Sequence, residues 1–170
     1  MSKRALKKYL QELTKEQLEE QCIDLYDRFK EVKTYYNFVF NPNEKKLIED
    51  AKAKIGLEYF PTGKRRRAKM RRSVAHKFIK HFIQIGVDPL QVADLMFFNV
   101  EIAMAYRSEK YVIQESFYVS MLKSFAEAVK YCETQGIEFE FKRRMELIAK
   151  MSEEQEWFNS GAFWTINDNL

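Results

Sequence analysis

The sequence predicts an all-α protein: a single-domain bundle or short helical-hairpin array of about six or seven helices. Three observations carry this reading. Apolar residues recur at three- and four-residue intervals along most of the chain. Only five Gly and three Pro punctuate 170 residues, too few for a turn-rich β protein. Helix-start signals at Thr14, Asn43 and Asp88 each precede a periodic stretch.

Leu6, Leu10 and Leu13 form a first short stripe. Thr14-Lys15-Glu16-Gln17 is a capping box, in which the Thr14 hydroxyl accepts an early amide and Gln17 reaches back. The second helix follows, with Leu18, Cys22, Leu25, Phe29, Val32 and Tyr36 in one continuous stripe. The stripe spans fewer than three heptads, which argues for a partner helix in the same chain over a coiled coil. Asn41-Pro42-Asn43 stops it and caps a third helix over about residues 43–56, with Leu47, Ala51 and Ile55 inward.

Residues 59–63 read as a loop. A fourth helix is marked by Val74, Ala75, Phe78, Ile79, Phe82 and Ile85 and ends at Gly86. Asp88-Pro89 restarts the chain, with Asp as cap and Pro in the first turn. The fifth helix, about residues 89–106, is apolar nearly all round and belongs in the centre, with Leu95, Phe98 and Ile102 in the core. Asp94 and Glu101, seven apart, share one side, read as its exposed side; Asn99 lies away from it and needs partners if buried.

Residues 107–113 read as a loop. A sixth helix carries Phe117, Met121, Leu122, Phe125, Val129 and Cys132 and closes at Gly136. A seventh spans about residues 137–155, with Phe141, Met145 and Ile148 inward. This gives a helical domain over 1–155 and an aromatic, acidic tail over 156–170 without a helical period. Trp157, Phe158, Phe163 and Trp164 of the tail are candidate partner-binding residues, because solvated termini rarely carry so many large apolar side chains. The tail is expected to dock on its own domain, on a second copy or on another protein. Docked over the basic strip described below, it would gate an anionic ligand.

Several stretches resemble one known family: residues 2–21 (SKRALKKYLQELTKEQLEEQ), 40–42 (FNP), 58–61 (EYFP), 71–82 (RRSVAHKFIKHF) and 117–131 (FYVSMLKSFAEAVKY). Together they are similar to small, uncharacterised, all-helical bacterial proteins with no assigned activity, over about residues 1–150. The resemblance implies a helical fold and a cytoplasmic bacterial protein, and it carries over no catalytic residue.

Charge is distributed unevenly. Between Glu58 and Asp88 there is no acid and there are nine bases: Lys64, Arg65, Arg66, Arg67, Lys69, Arg71, Arg72, Lys77 and Lys80. The rest of the chain holds 20 Lys/Arg against 25 Asp/Glu, so the formal +4 conceals a basic centre in an acidic protein. Cations at a helix N-terminus are disfavoured by roughly 0.3–1 kcal/mol each, so an anionic partner, internal or external, explains them better than the helix does. On a helix, Lys69, Arg72, His76 and Lys80 fall on one side, opposite Val74, Phe78 and Phe82, with Lys77 beside them. A basic loop running into a basic helix face suits phosphates and has no base-reading signature. A solvated face, satisfied by acidic helices elsewhere in the chain, accounts for the same pattern.

No chemistry-bearing motif accompanies it. His76 and His81 are five apart, about 140° around a helix, wrong for a shared metal. Cys22 and Cys132 match no metal or redox spacing and read as reduced, buried thiols. There is no phosphate-binding glycine loop and no nucleophile motif. The N-terminus lacks the apolar core of a secretory signal, and no run is long enough to span a membrane, so the expected compartment is the cytoplasm. The Tyr35, Tyr36, Phe38, Phe40 cluster reads as packing. The expected function is a non-enzymatic binding protein, without cofactor or metal, that contacts nucleic-acid phosphates through residues 64–80. The alternative is an interaction adaptor that offers the basic strip to an acidic protein, or the aromatic tail to an apolar groove.

Overall fold

A computed structural model describes residues 2–63 and 67–168. The described residues are about 80% helical and contain no strand, far above the roughly one-third helix of an average soluble protein. They form nine helices, not six or seven. The chain divides at Pro42–Asn43 into two compact units.

The first unit holds α1 (Lys3–Gln11), α2 (Lys15–Arg28) and α3 (Lys30–Phe40). Ser2 caps α1 by accepting the Ala5 amide at 3.2 Å. At Thr14 the capping box closes on both sides: the Gln17 amide reaches the Thr14 hydroxyl at 3.3 Å, and the Thr14 amide reaches Gln17 Oε1 at 2.9 Å. The single long helix expected after Thr14 is broken at Phe29, whose backbone is extended (φ −116°, ψ 116°). The chain folds back there. Residues on either side of Phe29 then meet: the Tyr26 and Tyr36 rings lie 6.4 Å apart, and the Tyr26 hydroxyl donates to Asn37 Oδ1 at 3.4 Å. Folding back turns the two halves of the apolar stripe toward each other, where a straight helix would present all of it to water. Two helices alone make too thin a layer for a core, and no residue of α1, α2 or α3 is buried. Cys22 is exposed, contrary to the buried thiol expected.

The second unit contains α4 (Glu44–Tyr59), α5 (Arg72–Ile85), α6 (Pro89–Glu109), α7 (Glu115–Gln135), α8 (Glu138–Glu154) and α9 (Ser160–Asp168). Asp88 Oδ1 accepts the amides of Leu90 and Gln91 at the start of α6. Gly86 and Gly136 end α5 and α7 with positive φ, and each is followed by an amide bonded five residues back (Val87 to Phe82, Ile137 to Cys132). The same geometry ends α8, but there the left-handed position is Glu156, φ 55°.

Helix α6 sits in the centre, against α4, α5, α7 and α8. Its buried side is Val92, Leu95, Met96, Phe97, Asn99, Val100, Ala103 and Met104. Leu95 is in the core as expected, whereas Phe98 and Ile102 are only half-buried. Phe98 instead packs under the Lys52 ammonium, 5.3 Å from its ring centroid. Aromatic rings chain through the core: Phe141 to Phe97 at 5.2 Å, Phe97 to Phe125 at 6.3 Å, Phe125 to Phe163 at 5.1 Å and Phe163 to Trp157 at 5.7 Å. Thus the tail is helical and part of this core. Trp157 and Phe163 are buried, Trp164 is half-buried with its indole N–H on Glu153, and Phe158 is exposed. Helix α9 packs on α7 and α8.

Asp94 and Glu101 are not a solvated side. Arg144 of α8 spans both, with two bonds to the Glu101 carboxylate (2.6 and 2.7 Å) and one to Asp94 at 2.7 Å. Lys52 of α4 binds the other Asp94 oxygen. Burial opposes ionisation of Asp94, but the bonds from Lys52 and Arg144 outweigh it and hold its carboxyl below the usual range.

Candidate functional site

The basic segment runs from the end of α4 into α5. Lys64, Arg65 and Arg66 lie outside the described residues. The loop returns to α4 through the amides of Lys69 and Met70, which both bond the Glu58 carbonyl (2.9 and 3.0 Å). Met70 takes a left-handed backbone, φ 51°, to do so. Helix α5 then begins at Arg72, with Arg71 in the cap position and no side chain on its first amides. Lys69 therefore precedes the helix and does not share the helical side assigned to it from its spacing.

Two internal carboxylates meet the cations at this uncapped helix start. Arg71 grips Glu58 with Nε and a terminal nitrogen, 2.8 and 2.7 Å. Those bonds hold the Glu58 carboxyl below its ordinary value, although its side chain is only 12% exposed and burial works the other way. Arg72 donates from Nε to Ser124 at 2.7 Å and pairs with Glu127 at 2.7 Å. His76 Nε2 lies 3.4 Å from the same Glu127 carboxylate. Burial and the Arg72 charge lower the His76 pKa against the pull of Glu127, so His76 adds no positive charge at neutral pH.

What remains open is narrower than the sequence pattern. Arg67, Lys69, Lys77 and Lys80 are exposed and make no ion pair among the described residues. Arg72, Ser73, His76, Lys77 and Lys80 line an open cavity of about 420 Å³. A second open cavity of about 530 Å³ lies at the far end of the basic segment, where Arg67 and Lys110 meet Phe60, Pro61 and Tyr106. The Phe60 and Tyr106 rings are 5.7 Å apart, edge to face. No sequence signal linked Tyr106 to the loop, because 39 positions separate it from Arg67. Glu58 and Glu127 were equally silent: the expected internal anions exist, but only the fold shows which acids they are.

His81 is exposed. Among the described residues no group of three or more His, Cys, Asp or Glu side chains could hold a metal ion. Nor is any described helix long and apolar enough to cross a membrane.

No curated protein and no solved structure matches the chain. A family model matches it over residues 1–170, its full length, so the chain belongs to DUF6155, a family of unknown function.

Proposed function

We propose that this protein binds the phosphate backbone of nucleic acid, without catalysis, through the exposed cations that flank the start of α5. The observation that carries the reading is an excess. The segment between Glu58 and Asp88 has nine bases and no acid, and the fold brings only Glu58 and Glu127 to it as ion-pair partners among the described residues. Those two carboxylates engage Arg71 and Arg72 and leave Arg67, Lys69, Lys77 and Lys80 facing solvent. Strips of this kind attract polyanions through counterion release. Helix α9 packs on α7 and α8, and Lys69, Lys77 and Lys80 of the strip are exposed.

The test is the salt dependence of binding to a labelled oligonucleotide. With about four to seven phosphate contacts, the log–log slope should be roughly −4 to −6. Lys69→Glu, Lys77→Glu and Lys80→Glu together should abolish binding and leave the thermal midpoint close to wild type, since none of the three holds the fold together. Unaltered affinity in that variant would refute the reading. An adaptor that uses the tail has less surface to offer, because Trp157 and Phe163 are committed to the core.

A further inference from the structure

We propose that the hairpin of residues 2–42 is a dimerisation module, in which α1 of one copy lies in the α2–α3 groove of a second copy and the exchange is reciprocal. The need for a partner comes from burial. None of the three helices buries a residue, and Ile23, Phe29 and Phe40 are 63%, 50% and 75% exposed. Ordering some forty residues without a core leaves their conformational entropy uncompensated.

The groove is apolar, about 350 Å³, and lined by Glu19, Cys22, Ile23, Tyr26, Tyr36 and Phe40. Helix α1 has the shape to fill it. At 100° per residue, Ala5, Leu6, Tyr9 and Leu10 fall on one side, and Lys3, Arg4, Lys7 and Lys8 on the other. Nine residues make a rod of about 13 Å. Within one copy, α1 is held elsewhere. Gln21 Nε2 donates to the Tyr9 hydroxyl, and Gln21 lies roughly 150° around α2 from the groove residues Cys22, Ile23 and Tyr26. A copy's own α1 is on the far flank of α2.

Charge selects a second copy as the occupant. Helix α1 carries four cations and no acid, and none of the four forms an ion pair among the described residues. On α2, Glu16, Glu20 and Asp27 make one acidic ridge beside the groove, also without an ion pair among the described residues. Each chain offers one basic amphipathic helix and one apolar groove with an acidic ridge along its α2 side, while on the α3 side Lys33 lies over the Tyr26 ring at 5.2 Å. A two-fold exchange satisfies both at once.

The decisive experiment is sedimentation equilibrium of the full chain and two charge-reversal variants. Wild type should be a dimer. Lys3→Glu/Lys7→Glu should weaken it by at least about tenfold, and so should Glu20→Lys/Asp27→Lys, because like charges then face each other. Mixed one to one, the two variants should recover a heterodimer, since each reversed helix meets a reversed ridge. Both pairs of sites are exposed, and acids suit the first turns of α1, so circular dichroism should show unchanged helix. Alkylation of Cys22 gives a second readout: the thiol should react in dilute protein and become protected along the same concentration curve as dimerisation. Cys132 does not interfere, because burial pushes its thiol up to about 12. A wild-type monomer at about 100 μM, far above the range of specific dimers, would overturn the proposal. So would reversal variants that dimerise like wild type, a mixture that fails to recombine, or a dimer whose Cys22 still reacts freely.

Discussion

The hairpin of residues 2–42 and the helices of residues 43–168 are written in the same residue types and obey the same capping rules, yet they differ in what holds them. The hairpin has a complete capping box at Thr14 and amphipathic helices, but no buried residue. The second unit has helices no better capped, and α5 starts with no side-chain cap at all, but it encloses Phe97, Phe125 and Phe163 completely. Caps and propensity set where helices begin and end. Burial decides which of them persist, because a cap contributes about 1 kcal/mol and a buried aromatic several times that.

The sharpest way to break this contrast is to cut into both regions. Phe97→Ala removes a fully enclosed ring at the centre of the aromatic chain and should cost about 3–5 kcal/mol in chemical denaturation. Its neighbour Phe98, half-buried, should cost less than half as much. Leu25→Ala in the hairpin, at 44% exposure, should shift the main unfolding transition by under about 1 kcal/mol. A hairpin substitution as damaging as Phe97→Ala would erase the distinction.

A second, smaller effect concerns charge inside the second unit. Arg144→Met leaves Asp94 and Glu101 facing each other without their shared cation and should cost on the order of 1–2 kcal/mol, discounted from a fully buried pair for partial exposure. Its pH dependence has a definite sign. The folded Asp94 carboxyl titrates below its ordinary 3.8, so its contribution is present above that value and is lost as pH falls through the lower folded value. Wild type should therefore lose stability below about pH 4 more steeply than Arg144→Met; parallel acid-denaturation curves would contradict the assignment. The smallest effect is a gain. Glu156 holds the left-handed position that Gly86 and Gly136 hold elsewhere, and Glu156→Gly should stabilise by about 0.5–1 kcal/mol in thermal denaturation. A loss of stability would show that the Glu156 side chain contributes more than its backbone costs.

Much of the second unit is readable before folding. Asp88-Pro89, Gly86 and Gly136 mark three of its boundaries by local chemistry, and the structure uses all three. What escapes the sequence is what depends on a distant partner. Helix α6 is apolar nearly all round, so periodicity cannot choose Phe97 over Phe98; the positions of α7 and α8 do. The break at Phe29 carries no Gly or Pro, and the stripe continues in register on both sides, so nothing local distinguishes a hairpin from one long helix. The tail hides its helix because α9 is nine residues long and only Phe163 on it is buried. In the basic segment the cations are plain and their partners are not: Glu127 lies 55 residues beyond Arg72.

By burial, residues 3–40 have no stability of their own and residues 92–104 have the most. Amide hydrogen exchange on the full chain, at dilution sufficient to separate copies, tests it directly. The amides of α6 should exchange only by global unfolding, and those of α2 and α3 at least about a thousandfold faster, a gap of roughly 4 kcal/mol. Exchange in α2 and α3 as slow as in α6 at every concentration would contradict it.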